Sequence, residues 1–377
     1  MPDYLYGLYN WLLWDIAFVI AYKTVVQYNR NGMDGYVSVK YNRSTFRFLF
    51  VLFLFYSLFT FFGGDKTGYE HMVVESGLYG TGTFINMEPV YVYLGMLVKG
   101  DFLVWKLIVY GCALLLVYLS TKRMKLDSVI TLSFFIGFAL ISYGSTRAVL
   151  AYALYLFGLS FLRERNVLSL LIGVLLVLGS YFFHNSMLPI ILLTPLVYVK
   201  LNKKRLIFLI LAFPVIVQLF NLFADQLFMQ IDTFSNEYDQ EHLQNKFSAY
   251  TDEDTVRGSR LALHQIVQKI LDWAIVIPIF WHSFRLYFDS KLSRKESVYL
   301  LASFYILYLS LVLRFSSLFN STFMFVRYFG LFPFILFMMA VPLYNSDKLG
   351  IRGLRTILLT MAIRQNYLFA LMLYHAM

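Results

Sequence analysis

Apolar residues in this chain run on in stretches too long for the alternation of a half-buried strand and too unbroken for one face of a surface helix. Such stretches cover 5–26, 46–62, 102–119, 128–143, 148–162, 167–182, 187–199 and 206–223, then 266–284, 298–313 and 323–343. A bilayer core about 30 Å thick asks for about 20 apolar residues per helix, fewer where flanking side chains snorkel. A last stretch, 356–374, carries Arg364, Gln365 and Asn366 at its centre, so it either spans or lies at the interface. The run 87–98 is apolar but short, and suits an interfacial or re-entrant helix. The pattern predicts an all-α integral membrane protein. It would be a polytopic bundle of about 11–12 transmembrane helices, forming a single membrane domain over 1–377.

Charge gives the bundle a direction. Lys23, Arg30, Lys40, Arg43 and Arg47 gather at the junction of the first two stretches, and Lys122, Arg123 and Lys125 follow the third. Arg163 and Arg165, then Lys200, Lys203, Lys204 and Arg205, recur at every second connection. So do Arg285, Lys291, Arg294 and Lys295, and finally Lys348, Arg352 and Arg355. These sets hold most of the 32 basic residues. The positive-inside rule makes their side cytoplasmic and puts the N-terminus outside. Two sizeable extracytoplasmic segments result. The first is 63–101, with the short helix inside it, and the second is 224–265, which mixes acids with aromatics.

Composition narrows the functional classes. With 59% hydrophobic and 14% charged residues, the chain needs lipid as its solvent. The net charge of +10 is dispersed among connections and not gathered into a stripe, so nucleic acid is not an expected partner. One cysteine, Cys112, cannot form an internal disulfide or a cysteine-based metal site. No cleavable leader is expected, because Asp3 stands where a basic segment would begin. No phosphate-binding glycine loop and no room for a nucleotide-binding domain are visible, and neither cofactor nor metal is expected.

The candidate chemistry lies in ionisable residues at the outer ends of spans, where burial costs free energy and function is the default explanation. Asp65 follows Phe61-Phe62-Gly63-Gly64, with Tyr69 shortly after it, and Glu88 precedes Pro89. Arg147 opens a span after Tyr143-Gly144-Ser145-Thr146, and His184 breaks two apolar runs in Phe183-His184-Asn185-Ser186. Arg257 and Arg260 precede the ninth span, Arg314 ends the tenth, and Arg327 stands beside Tyr328 inside the eleventh. Each also has an ordinary role. Asp65 can cap a helical turn, Glu88-Pro89 can start a helix, and Arg147, Arg257 and Arg314 can snorkel. Taken together, arginines at one depth offer planar forks for phosphate oxygens, and the histidine and carboxylates offer general-base chemistry. A lipid-linked sugar diphosphate meets those demands.

The chain resembles the EpsG-type branch of Wzy-like polysaccharide polymerases over roughly 46–342. The likeness is carried by Gly64-Asp65 with Tyr69, Glu88-Pro89 with Tyr93, Thr146-Arg147 with Ala151, Phe183-His184-Asn185-Ser186, and Val326-Arg327-Tyr328-Phe329. It departs from the family pattern at Phe62-Gly63, where an arginine is common, and at Ala148, where a glutamine is common. Arg257 or Arg260 would then supply the missing phosphate contact.

The resemblance implies an enzyme of the bacterial inner membrane with an outward-facing site. It would transfer a growing glycan from undecaprenyl diphosphate to an incoming lipid-linked repeat unit. Its partners would be the undecaprenyl-diphosphate-linked oligosaccharide, the lipid bilayer, a chain-length regulator and a flippase. In that picture Arg147 and Arg327, with Arg314, Arg257 and Arg260, hold pyrophosphate. His184, Asp65 or Glu88 acts as base, and Tyr69 and Tyr328 meet glycan. A glycosyltransferase using a polyprenyl-monophosphate sugar and a glycan ligase fit the same residues. A flippase or exporter of lipid-linked oligosaccharide is the reading from another class.

Overall fold

The structure, a computed structural model, describes residues 66–80, 88–124, 146–164, 166–184, 187–234, 263–290, 292, 294–315 and 350–376, with scattered positions in 8–23 and 47–54. The described residues are helical, and no strand occurs among them. In chain order the helices are α1 (Lys66–Tyr79), α2 (Pro89–Leu97), α3 (Phe102–Met124), α4 (Thr146–Leu162) and α5 (Val167–Phe183). Then come α6 (Leu188–Leu193) with a 3-10 turn over Thr194–Tyr198, α7 (Lys203–Phe234), α8 (Leu263–Phe288), α9 (Arg294–Phe315) and α10 (Gly350–Ala376). The expected stretches 128–143 and 323–343 lie outside the described residues, as do most of 5–26 and 46–62.

Most helices overrun their apolar stretches, because a helix keeps its hydrogen bonds through flanking charges that hydropathy excludes. Lys203 opens α7 and Arg294 opens α9, each ahead of its apolar run. Helix α7 also continues to Phe234, into the segment 224–265. The run 187–199 behaves differently. Pro189 and Pro195 each sit at the start of a helical piece, and Pro195 removes an N–H that a continuous α-helix would use, so the chain tightens into the 3-10 turn.

Helix α5 shows how this fold relates to its surroundings. It buries Ser169, Gly173, Val177 and Ser180, while Leu168, Leu171, Leu175, Leu178 and Phe182 lie on the outside. Small and hydroxyl residues face in and leucines face out, the reverse of a helix on a water-soluble protein. Gly158 of α4 meets this inner stripe so closely that a Cβ there would lie 2.8 Å from Val177 Cγ2. The buried hydroxyls of Ser160 and Ser180 each donate to a carbonyl three residues back, at 2.6 Å, so they carry no unmet polarity into the contact.

Helices α3, α4 and α5 form one packed unit, α1 and α2 rest on its α3 and α5 sides, and α9 joins it to α7 and α8. Helix α3 is the described helix long and apolar enough to cross a membrane. Shorter apolar helices cover Ala148–Leu162, Val167–Phe183, Leu188–Tyr198 and Ser297–Val312. In α10 the polar triplet turns inward: Arg364 and Gln365 are buried, while Leu359 and Ile363 are exposed. Asn366 donates from Nδ2 to Asp15 Oδ1 at 3.0 Å and accepts from the Trp11 indole, tying the N-terminal region to the last helix.

Candidate functional site

Glu88 and His184 come together at one end of the packed unit. Glu88 is fixed by Pro89, whose ring suits the first helical position, so the carboxylate stands where α2 begins. Its side chain caps no backbone N–H and is turned elsewhere. His184 ends α5 in extended conformation, its N–H still held by the carbonyls of Ser180 and Tyr181. With α2 packed on α5, His184 Nδ1 lies 2.9 Å from Glu88 Oε1, and both side chains are about 5% exposed. An ionised carboxylate only accepts, so with Glu88 ionised the imidazole carries a proton on Nδ1, and a neutral ring then leaves Nε2 as its acceptor nitrogen. That is the arrangement of a histidine oriented by a carboxylate to take a proton from a third group.

Aromatic rings support the pair from below. Trp105 of α3 is fully buried, donates from Nε1 to the Tyr91 carbonyl at 3.3 Å, and stacks with Phe102 at 5.9 Å and Tyr69 at 6.3 Å. Tyr91 also meets Phe183 edge-on at 6.1 Å, immediately before His184. Tyr69, expected at the glycan, is therefore an interior ring. It lies on the face of α1 formed by Tyr69, Met72, Val73 and Ser76, the spacing of one buried helix stripe. Gly77 completes the fit: a Cβ there would stand 2.2 Å from Gly100 N, so α1 packs directly on the turn between α2 and α3.

Lys106 was missed by reasoning from sequence. It is buried one turn into α3, with Nζ 5.3 Å from the Phe102 ring centre. The signal was present as a single cation inside an apolar run, a position that favours function over chance.

The phosphate-binding candidates divide by position. Arg147 occupies the first turn of α4 and Arg314 the last turn of α9. Helices α4 and α5 each have 17 residues and are joined by the turn at 163–166, so the helix end carrying Arg147 is level with the end carrying His184. Asp65, Arg257, Arg260, Arg327 and Tyr328 lie outside the described residues.

The opposite end of the unit is held by charge. Arg123 Nη2 donates to Glu164 Oε2 at 2.6 Å and its Nε donates to the Ser160 carbonyl at 3.2 Å, with the guanidinium 3.7 Å from the Phe161 ring centre. Asn166 caps α5 there by accepting from the Ser169 N–H at 2.7 Å. The 17 residues of α5 separate this clasp from His184 by about 25 Å along the helix axis.

Neither the curated proteins nor the solved structures contain a match to this chain. The sequence profile of the EpsG family matches residues 43–376. That match takes in Glu88, His184 and every helix from α1 to α10, and leaves out the N-terminal region that carries Trp11 and Asp15. The chain belongs to the EpsG family, and with it to the membrane proteins of polysaccharide biosynthesis.

Proposed function

We propose that this protein is a polysaccharide polymerase of the bacterial inner membrane, a polytopic bundle with its working face extracytoplasmic. The observation that carries the reading is the buried Glu88–His184 pair, at the helix ends remote from the Arg123–Glu164 clasp. Leucines on the outside of α5 support residence in lipid, and the basic connections at 122–125, 163–165 and 200–205 support the assignment of sides.

In this reading His184 Nε2 takes the proton of the attacking sugar hydroxyl, while Glu88 holds the ring and balances the imidazolium that forms. The hydroxyl oxygen bonds to the anomeric carbon of the donor glycan. The bond from that carbon to the diphosphate breaks, and undecaprenyl diphosphate leaves with the electron pair. Arg147 and Arg327 stabilise the charge on the leaving group, with Arg314, Arg257 and Arg260 as further contacts. The donor is a lipid-diphosphate glycan and the acceptor is a lipid-linked repeat unit.

The deciding experiment supplies purified protein with a defined undecaprenyl-diphosphate repeat unit. The expected product is a ladder of chain lengths. Persistence of single repeat units, with passage of the lipid-linked unit across vesicles, would replace the polymerase reading with a transporter.

A further inference from the structure

Three turns far apart in sequence meet at the end of the bundle remote from Glu88 and His184. They are the α4–α5 turn with Arg163, the stretch after the 3-10 turn with Lys200, and the α8–α9 turn with Ser290. Between them lies a cavity of about 650 Å³, within the range that holds small-molecule ligands. Arg163 and Lys200 are its charged described residues, and no carboxylate is among them.

Of the acids next to lining residues in sequence, Glu164 and Asp289 have described side chains. Glu164 is engaged by Arg123 at 2.6 Å, and Asp289 is exposed and borders the separate apolar groove between α7, α8 and α9. The Nε–H of Arg163 is buried without a hydrogen bond of its own, while the guanidinium as a whole faces the buried Tyr299 hydroxyl. A buried guanidinium donor with no partner costs free energy until an acceptor arrives. Hydroxyls of Ser290, Ser297 and Tyr287 also line the cavity. The Tyr287 oxygen accepts from the Leu201 N–H at 2.9 Å and keeps its own proton to donate. Leu292 and Leu301 add an apolar wall to the lining.

We propose that this cavity binds a phosphate ester. The Arg163 fork and the Lys200 ammonium take the phosphate oxygens, the hydroxyls complete their hydrogen bonds, and the apolar wall receives the body that bears the phosphate. Two sources share this chemistry, a soluble phosphorylated small molecule and the headgroup of an anionic phospholipid. The site stands whether or not Glu88 and His184 act as a base, because it lies at the other end of α5 and its test reads binding alone.

The test uses the full chain in nanodiscs and follows its unfolding temperature. One arm titrates inorganic pyrophosphate and ADP into phosphatidylcholine discs. The other replaces part of the phosphatidylcholine with phosphatidylglycerol. Stabilisation in the first arm identifies a soluble phosphate ester, and stabilisation in the second alone identifies a lipid headgroup. In either case Arg163→Gln and Lys200→Gln weaken the effect at least tenfold in ligand concentration, and Arg163→Lys, which keeps charge but loses the fork, weakens it less. Lys200 is exposed, so its variant remains informative if Arg163→Gln fails to fold. The proposal is overturned by no stabilisation in either arm, or by stabilisation that Lys200→Gln and Arg163→Lys both leave unchanged.

Discussion

His184 Nδ1 lies 2.9 Å from Glu88 Oε1 across 96 positions of sequence, and the contact orients the imidazole. If His184 is the base, His184→Ala lowers turnover by about 10²- to 10⁴-fold with little change in KM. Glu88→Gln, which keeps the shape but loses the charge, lowers it less. The double variant is no slower than His184→Ala alone, because the two side chains act as one unit. Steady-state rates with a defined lipid-linked repeat unit give all three values. Full additivity of the two losses would mean that the residues work separately.

Arginine geometry, and not charge alone, is the expected requirement at the leaving group. Arg147→Lys and Arg327→Lys should each lower polymerisation by about 10²-fold or more while the protein still inserts and is recovered from membranes. Arg147 opens the helix whose end is level with His184. Wild-type chain-length ladders from either variant would remove that arginine from the site.

Trp105 holds α2 in place through the Tyr91 carbonyl and three neighbouring rings. Trp105→Ala should destabilise the fold by about 3–5 kcal/mol and should also slow polymerisation, because Glu88 begins the helix that loses support. Trp105→Phe should retain more of both. Thermal unfolding in detergent together with rate measurements checks the coupling. Loss of stability with an unaltered rate would show that α2 is held by other contacts.

The contact between α4 and α5 leaves no room for a side chain. A Cβ at Gly173 would lie 2.7 Å from Leu162 Cδ2 and 3.0 Å from the Leu162 backbone nitrogen. Gly173→Ala should therefore destabilise by about 1–3 kcal/mol, and Gly173→Val by more, in equilibrium or thermal unfolding. Gly179→Ala is the control, since its nearest neighbour would be 3.7 Å away, and it should be close to neutral.

Apolar run length made α3, α5 and α9 legible, since lipid-facing helices must be apolar over most of their circumference. Helix α1 was not recognised because its charged and polar residues mask the stripe of Tyr69, Met72, Val73 and Ser76, although the spacing is there to be found. Pro195 should have argued against one continuous helix over 187–199. At the site, Glu88 and His184 were each conspicuous as charge-bearing groups beside apolar runs. Nothing in a single sequence links them, because periodicity reports one helix at a time and their contact joins two. Tyr69 went the other way: an aromatic near an outer turn looked available to sugar, and packing on Trp105 took it into the interior.

The close fit of α4 against α5 also bears on how the chain assembles. Among the described helices, α4 packs most extensively on α5, its immediate successor in the chain, and next on α3, so the α4–α5 association needs little loop closure. The Glu88–His184 contact instead waits until α5 is complete, nearly a hundred residues after Glu88 has been made. A nascent chain stopped before residue 184 would carry α3, α4 and a carboxylate still lacking its histidine.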